Sequence, residues 1–190
     1  MLPVKCEASW PNTVALMAIK PRRCWDTACA FGYLADQSGR AEQCQRVIDD
    51  AESGHSDIVI SALTIAEVLH LKGEKRGLPS ETRDRIRSFF RRSCFTVADV
   101  DRFIAEHAQD LYWEHQVMPK DAIHVATAIA AGAHYLETFD GVLLKKSRQL
   151  GGDPQLVVQN PGEDIVKAAA AVASKRPPEL LDGITGRLSS

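Results

Sequence analysis

Short apolar runs alternate along this chain with longer stretches whose apolar residues recur every three or four positions. That alternation limits the fold more than any other feature, because it is the pattern of a parallel sheet covered by helices on both faces. The predicted strands are Arg22 to Asp26, Asp57 to Ser61, Cys94 to Val97, His134 to Thr138 and an edge strand from Gln155 to Val158. Between them, helices are predicted over Thr27 to Ala35 and Arg40 to Ser53. The second of these gathers Ala41, Cys44, Val47, Ile48 and Ala51 on one face. Thr64 to Lys72 reads as a helix broken at Gly73 and Gly77-Leu78-Pro79, and Ser80 can cap the next, which runs to Arg92. Val100 to Glu114 follows. Pro119 then opens another helix, at a first turn where its missing N–H costs nothing. A short helix over Gly141 to Leu150 precedes the last strand.

Residues 21–159 therefore read as one α/β domain. Residues 1–20 show no clear period and are expected to be a flexible extension. Residues 160–190 are expected to form a second extension, with an Ala-rich helix from Asp164 to Ser174 and then a tail.

Apolar runs all fall well short of the roughly 20 residues that span a bilayer, so no membrane association is expected. The five cysteines form no C-x-x-C pair and leave an odd one over. That speaks against a disulfide framework or a zinc site and suits a reducing, cytoplasmic compartment. A net charge of -2 gives no global field for a polyanion, so any nucleic acid would be met by local patches.

Four acids stand at element ends. Asp26 closes the first strand, Glu67 lies early in the helix after the second, Asp121 is in the first turn after Pro119, and Asp140 follows the fourth strand by two residues. In a parallel sheet, a helix that follows a strand starts at the carboxyl edge, and so does a helix that feeds the next strand. All four acids are thereby expected on the edge where open α/β folds bind ligands. Asp121 meets this only if the chain from His115 to Pro119 climbs back to that edge, or if the helix before it lies obliquely.

Clustered carboxylates repel one another and take up protons unless a cation offsets them. An all-oxygen set selects a hard cation such as Mg2+ or Mn2+. The chemistry that fits is in-line attack of water on a phosphodiester beside the ion. Each acid also has a structural reading, as a favourable charge at a helix N-terminus or as a turn residue. Spacing alone leaves both readings open.

At these residues the sequence resembles the PIN-domain family (the PilT N-terminal nuclease fold), and most of all its VapC-type toxin branch. The resembling stretches are Trp25-Asp-Thr-Ala-Cys29, Ser61-Ala-Leu-Thr-Ile-Ala-Glu-Val68, Pro119-Lys-Asp-Ala-Ile-His-Val-Ala-Thr-Ala128 and Thr138-Phe-Asp140, in the family's order. The second and third are the more specific. The resemblance implies a three-layer α/β/α fold with a central parallel sheet of four to five strands. It implies that Asp26, Glu67, Asp121 and Asp140 are the catalytic, metal-binding acids, with Thr138 and Thr27 in support. It further implies RNA cleavage leaving a 5′-phosphate, an antitoxin protein as partner, and a homodimer. Arg22 and Arg23 depart from the family's apolar first strand, which puts that strand's length in question.

Lys145 and Lys146 follow Asp140 closely and are candidate phosphate contacts, or merely solvated. Arg83, Arg87 and Arg91 share one helix face, for which solvation is the plainer role. His124, one turn after Asp121, reads as a packed, hydrogen-bonded side chain, and Trp25, Phe31 and Tyr33 as core. Tyr112 and Trp113 can mark a partner surface. Two rivals remain: a non-catalytic RNA-binding or interaction module of the same fold, and a phosphoryl-transferring α/β protein such as a receiver or a phosphatase. Ala28, two places after Asp26, counts against the phosphatase, which would need a second Asp there.

Overall fold

The computed structural model describes residues 20–71 and 78–174. The expected extension before Lys20, the helix end at Lys72 and the tail past residue 174 lie outside the described residues. Five strands form one parallel sheet: β1 (Arg22–Trp25), β2 (Asp57–Ser61), β3 (Phe95–Ala98), β4 (Tyr135–Glu137) and β5 (Val157–Gln159). Their spatial order is β3-β2-β1-β4-β5. A receiver-type sheet would run 2-1-3-4-5, so that rival is set aside by topology.

The strand pleat divides the core in two, because successive side chains point to opposite faces. Trp25, Ile58 and Ile60 pack on one face with α1 (Thr27–Leu34), α2 (Arg40–Glu52) and α4 (Ser80–Phe90). Cys24, Leu136 and Val158 pack on the other with α5 (Arg102–His115) and α6 (Pro119–Ala130). The result is the expected three-layer α/β/α arrangement.

Helix α3 (Ala62–Glu67) is shorter than the helix predicted from Thr64 to Lys72. The Ser61 side chain caps it by accepting from the Leu63 N–H. Val68 leaves helical geometry at ψ 73 and turns into the core, where it is 3% exposed. Glu67 is therefore the last residue of a short helix, still close to the sheet edge from which that helix starts.

Asp121 reaches the carboxyl edge by the second of the two expected routes. Helix α5 itself ends at that edge. Its final carbonyl, at His115, accepts from the Lys146 ammonium at 2.6 Å, and Lys146 lies just past α7 (Gly141–Leu144), which starts beyond β4. Three residues then join α5 to α6, turned by Gln116 at φ 53. At its far end α6 reaches the start of β1, where the Ala131 carbonyl accepts from Arg22.

Arg23 explains the unusual first strand. It is 1% exposed and forms an ion pair with the fully buried Glu137 at 2.8 Å. Its two terminal nitrogens also donate to both carboxylate oxygens of Asp164, each at 2.8 Å. Glu137 further accepts from the Trp25 indole N–H at 2.7 Å and the Gly162 N–H at 3.0 Å. Gly162 sits at φ +69, and a Cβ there would press Val47 at 3.3 Å, so any side chain at this junction is strained and glycine is favoured. Asp164 belongs to α8 (Glu163–Ser174), and Ile165 packs against the α1–α2 core. The segment after residue 160 is thus tied into the sheet at its first turn.

Cys24, Cys29, Cys44 and Cys94 are free thiols; Cys6 lies outside the described residues. Among the described residues no helix is long and apolar enough to cross a membrane.

Candidate active site

Strand β1 lies at the point where the sheet changes direction. The chain moves outward from it to β2 and β3, then crosses back to place β4 and β5 on its other side. At such a switch point the loops leaving adjacent strands part and leave a crevice at the carboxyl edge. Asp26 and Asp140 leave β1 and β4 there.

Asp26 is 5% exposed. One carboxylate oxygen accepts from the Cys29 N–H at 3.0 Å, capping α1, and the other accepts from the Thr138 hydroxyl at 2.5 Å. The Thr138 oxygen in turn accepts from the Asp140 N–H at 2.9 Å. Thr138 thus links the two acids. Asp140 caps α7 through one carboxylate oxygen, which accepts from the N–H groups of Val142 and Leu143.

Glu67 is held from three directions. One oxygen accepts from the Thr27 hydroxyl at 2.5 Å and lies 3.2 Å from His124 Nε2; the other is 2.8 Å from the Lys120 ammonium. A carboxylate can only accept, so the His124 proton belongs on Nε2. Its Nδ1 is buried with no partner among the described residues, and His124 itself is 2% exposed. It is the packed, hydrogen-bonded histidine expected, with one edge on the site.

The charges report the same neighbourhood. Burial pushes the Asp26 carboxyl above its ordinary value, and its hydrogen bonds to Thr138 and Cys29 only partly offset that. Burial also raises Asp121, and repulsion from Asp140, Asp26 and Glu67 adds to it. Glu67 goes the other way: burial opposes its charge, but Lys120, Thr27 and His124 outweigh burial and hold it below the usual range.

Among the described residues, no three His, Cys, Asp or Glu side chains stand close enough to hold an ion as they are arranged. Oxygens of Asp26 and Glu67 are engaged by Thr138, Thr27 and Lys120. In kind, however, the residues fit a hard cation. The donors are all carboxylates, burial disfavours the charged form of two of them, and an ammonium already sits on a third as a stand-in cation.

Lys146 is committed to the α5 carbonyl, whereas Lys145 is exposed beside it. Arg83, Arg87 and Arg91 flank an apolar groove of about 400 Å3 with Ile65, Leu69 and Phe90. Reading the sequence missed Lys120, although its place beside Asp121 in the first turn of α6 was a signal. Glu137 was missed too. A charged residue at the end of a strand predicted to lie inside the sheet, with an arginine in another strand, could have revealed it.

A PIN-domain family model matches residues 24–149 of the sequence. The chain belongs to the PIN-domain family. PIN domains are generally nucleases. Three solved structures share the fold. The VapBC2 complex from Rickettsia felis, bound to a promoter DNA fragment, is 17% identical, with a TM-score of 0.52 over 73% of this chain and 98% of that one. Mycobacterium tuberculosis VapC20, a Sarcin-Ricin loop cleaving toxin, is 16% identical, with a TM-score of 0.51 over 63% and 90%. DNA-bound VapBC from Salmonella typhimurium is 18% identical, with a TM-score of 0.51 over 74% and 98%. No curated protein sequence matches the chain.

Two outcomes follow for this PIN domain. Thr138→Val keeps the shape but removes the hydroxyl between Asp26 and Asp140, and is expected to lower activity about 10- to 100-fold, as loss of an orienting partner does. Steady-state cleavage rates check it. The second outcome concerns pH. Asp26 and Asp121 are raised in the folded state, so the unfolded state holds fewer protons above the ordinary carboxylate range. Their contribution to stability is therefore present at low pH and lost as pH rises through the raised values. Glu67, being lowered, acts in the opposite sense. A divalent cation bound by these acids would relieve the first effect, and Mn2+ would then raise the melting temperature more at pH 7.5 than at pH 5. Paired thermal melts with and without Mn2+ test this.

Proposed function

We propose that this PIN domain is a divalent-metal-dependent endoribonuclease that hydrolyses RNA phosphodiesters as the toxin of a toxin–antitoxin pair. The observation that carries the reading is the link at the carboxyl edge, where Thr138 joins Asp26 to Asp140; Asp121, raised first by burial and then by the charges of Asp140, Asp26 and Glu67, supports it. Asp26, Glu67, Asp121 and Asp140 would hold Mg2+ or Mn2+. The bound ion would supply a lowered pKa for an attacking water and charge to stabilise a phosphoryl oxygen. Thr138 fixes the Asp26 carboxylate and the Asp140 backbone together. Thr27 and His124 fix one oxygen of Glu67, leaving the other to move. Lys145 is free to meet a phosphate of the strand.

The toxin role is supported by the likeness to VapBC complexes and to a toxin that cleaves the Sarcin-Ricin loop, and places the proposed activity in the cytoplasm. A protein antitoxin that covers the crevice is the proposed partner. A homodimer is proposed through the α5–α6 face, where Tyr112, Trp113 and Ile123 line an apolar groove and Phe103 and Met118 are exposed; sedimentation showing only monomer would remove it. The direct test incubates the purified protein with RNA and Mg2+ or Mn2+. Fragments bearing 5′-phosphates, lost with EDTA, are expected. Cleavage that survives EDTA would overturn the reading.

A further inference from the structure

The Lys120 ammonium is paired with one of the acids, and its position is unusual for a counter-ion. It stands one residue before Asp121, in the first turn of α6, and lies 2.8 Å from Glu67 while its own side chain is 75% exposed. Glu67 is only 16% exposed. A flexible, solvated lysine thus occupies the single Glu67 oxygen that Thr27 and His124 leave open. Resting on the nuclease reading, we propose that Lys120 is an exchanging counter-ion, which holds Glu67 in the metal-free protein and turns to a phosphate of the RNA once a divalent cation takes that oxygen.

The physical reason is that an ammonium and a divalent cation cannot share one carboxylate oxygen without strong repulsion. Displaced Lys120 remains tethered beside Asp121 on a stem of four carbons, within reach of the crevice mouth. The anion brought there by substrate is the phosphodiester, for which a lysine is a good point-charge partner. The arrangement ties release of the lysine to loading of the site.

Lys120→Met keeps the stem and removes the charge at an exposed position. By calorimetry without RNA, its Mn2+ affinity is expected to tighten about two- to fivefold, as loss of an ordinary exposed ion pair would give. At saturating Mn2+, its KM for RNA is expected to rise about tenfold, and the log–log salt dependence of KM to flatten by about 0.7, the signature of one lost phosphate contact on a single strand. Lys120→Arg, which keeps the charge, is expected to restore KM. Mn2+ affinity that is unchanged or weaker in Lys120→Met, or KM and salt slope both as in wild type, overturns this assignment while the nuclease reading stands. Wild-type protein that takes up no Mn2+ overturns both.

Discussion

Asp26→Asn is expected to lower RNA cleavage by at least about 100-fold, more than is lost with an orienting partner alone. The melting temperature of the metal-free protein is expected to stay the same or rise. The two outcomes have one cause. Asp26 is buried, and its charged form is disfavoured there, so neutral Asn removes an electrostatic cost from the fold. The amide oxygen can still accept from the Cys29 N–H, and the amide nitrogen can donate to the Thr138 oxygen, which reverses that hydrogen bond. A carboxylate charge is lost where a cation would be held. Cleavage assays and thermal melts on the same preparation separate this from simple unfolding. Activity within tenfold of wild type, or a melting temperature that collapses, would contradict it.

Arg23→Met is expected to have the largest effect on stability, about 3–5 kcal/mol, or roughly 10 °C in melting temperature for a domain of this size. The substitution leaves Glu137 fully buried without its cation and strips Asp164 of a paired contact. It also releases the first turn of α8 from the sheet. Adding Glu137→Gln to Arg23→Met removes the stranded charge while keeping an acceptor for Trp25. The double variant is therefore expected to recover part of the loss, a coupling that independent sites would not show. Denaturant unfolding of the two single variants and the double measures it. Strict additivity would mean that the buried pair is not a unit.

The layered fold was legible because the strands carry its pattern openly. Ile58 and Ile60 face one core and Val59 the other, as period-two alternation requires. The expected place of the acids drew on the rule that a helix following a strand, like a helix feeding the next one, starts at the carboxyl edge. Three features were not legible, each for a reason outside local pattern. Helix α3 stops at Glu67 because Val68 is drawn into a core supplied mainly by distant elements. Arg23 looks like an error in a strand until Glu137 and Asp164, more than a hundred residues away, are brought against it. The pairing of Lys120 with Glu67 spans two elements that only the crossover through α5 and α6 makes neighbours. Periodicity reports what a residue does to its own helix or strand. It is silent on which charges meet across the sheet.

Direct evidence on the acids comes from titrating Mn2+ into the wild-type protein and into Asp26→Asn, Glu67→Gln, Asp121→Asn and Asp140→Asn by calorimetry. If these carboxylates jointly hold a hard cation, the wild type binds Mn2+ and each variant binds at least about tenfold more weakly. Glu67→Gln or Asp121→Asn binding as tightly as wild type, or a wild type that binds none, would contradict the account.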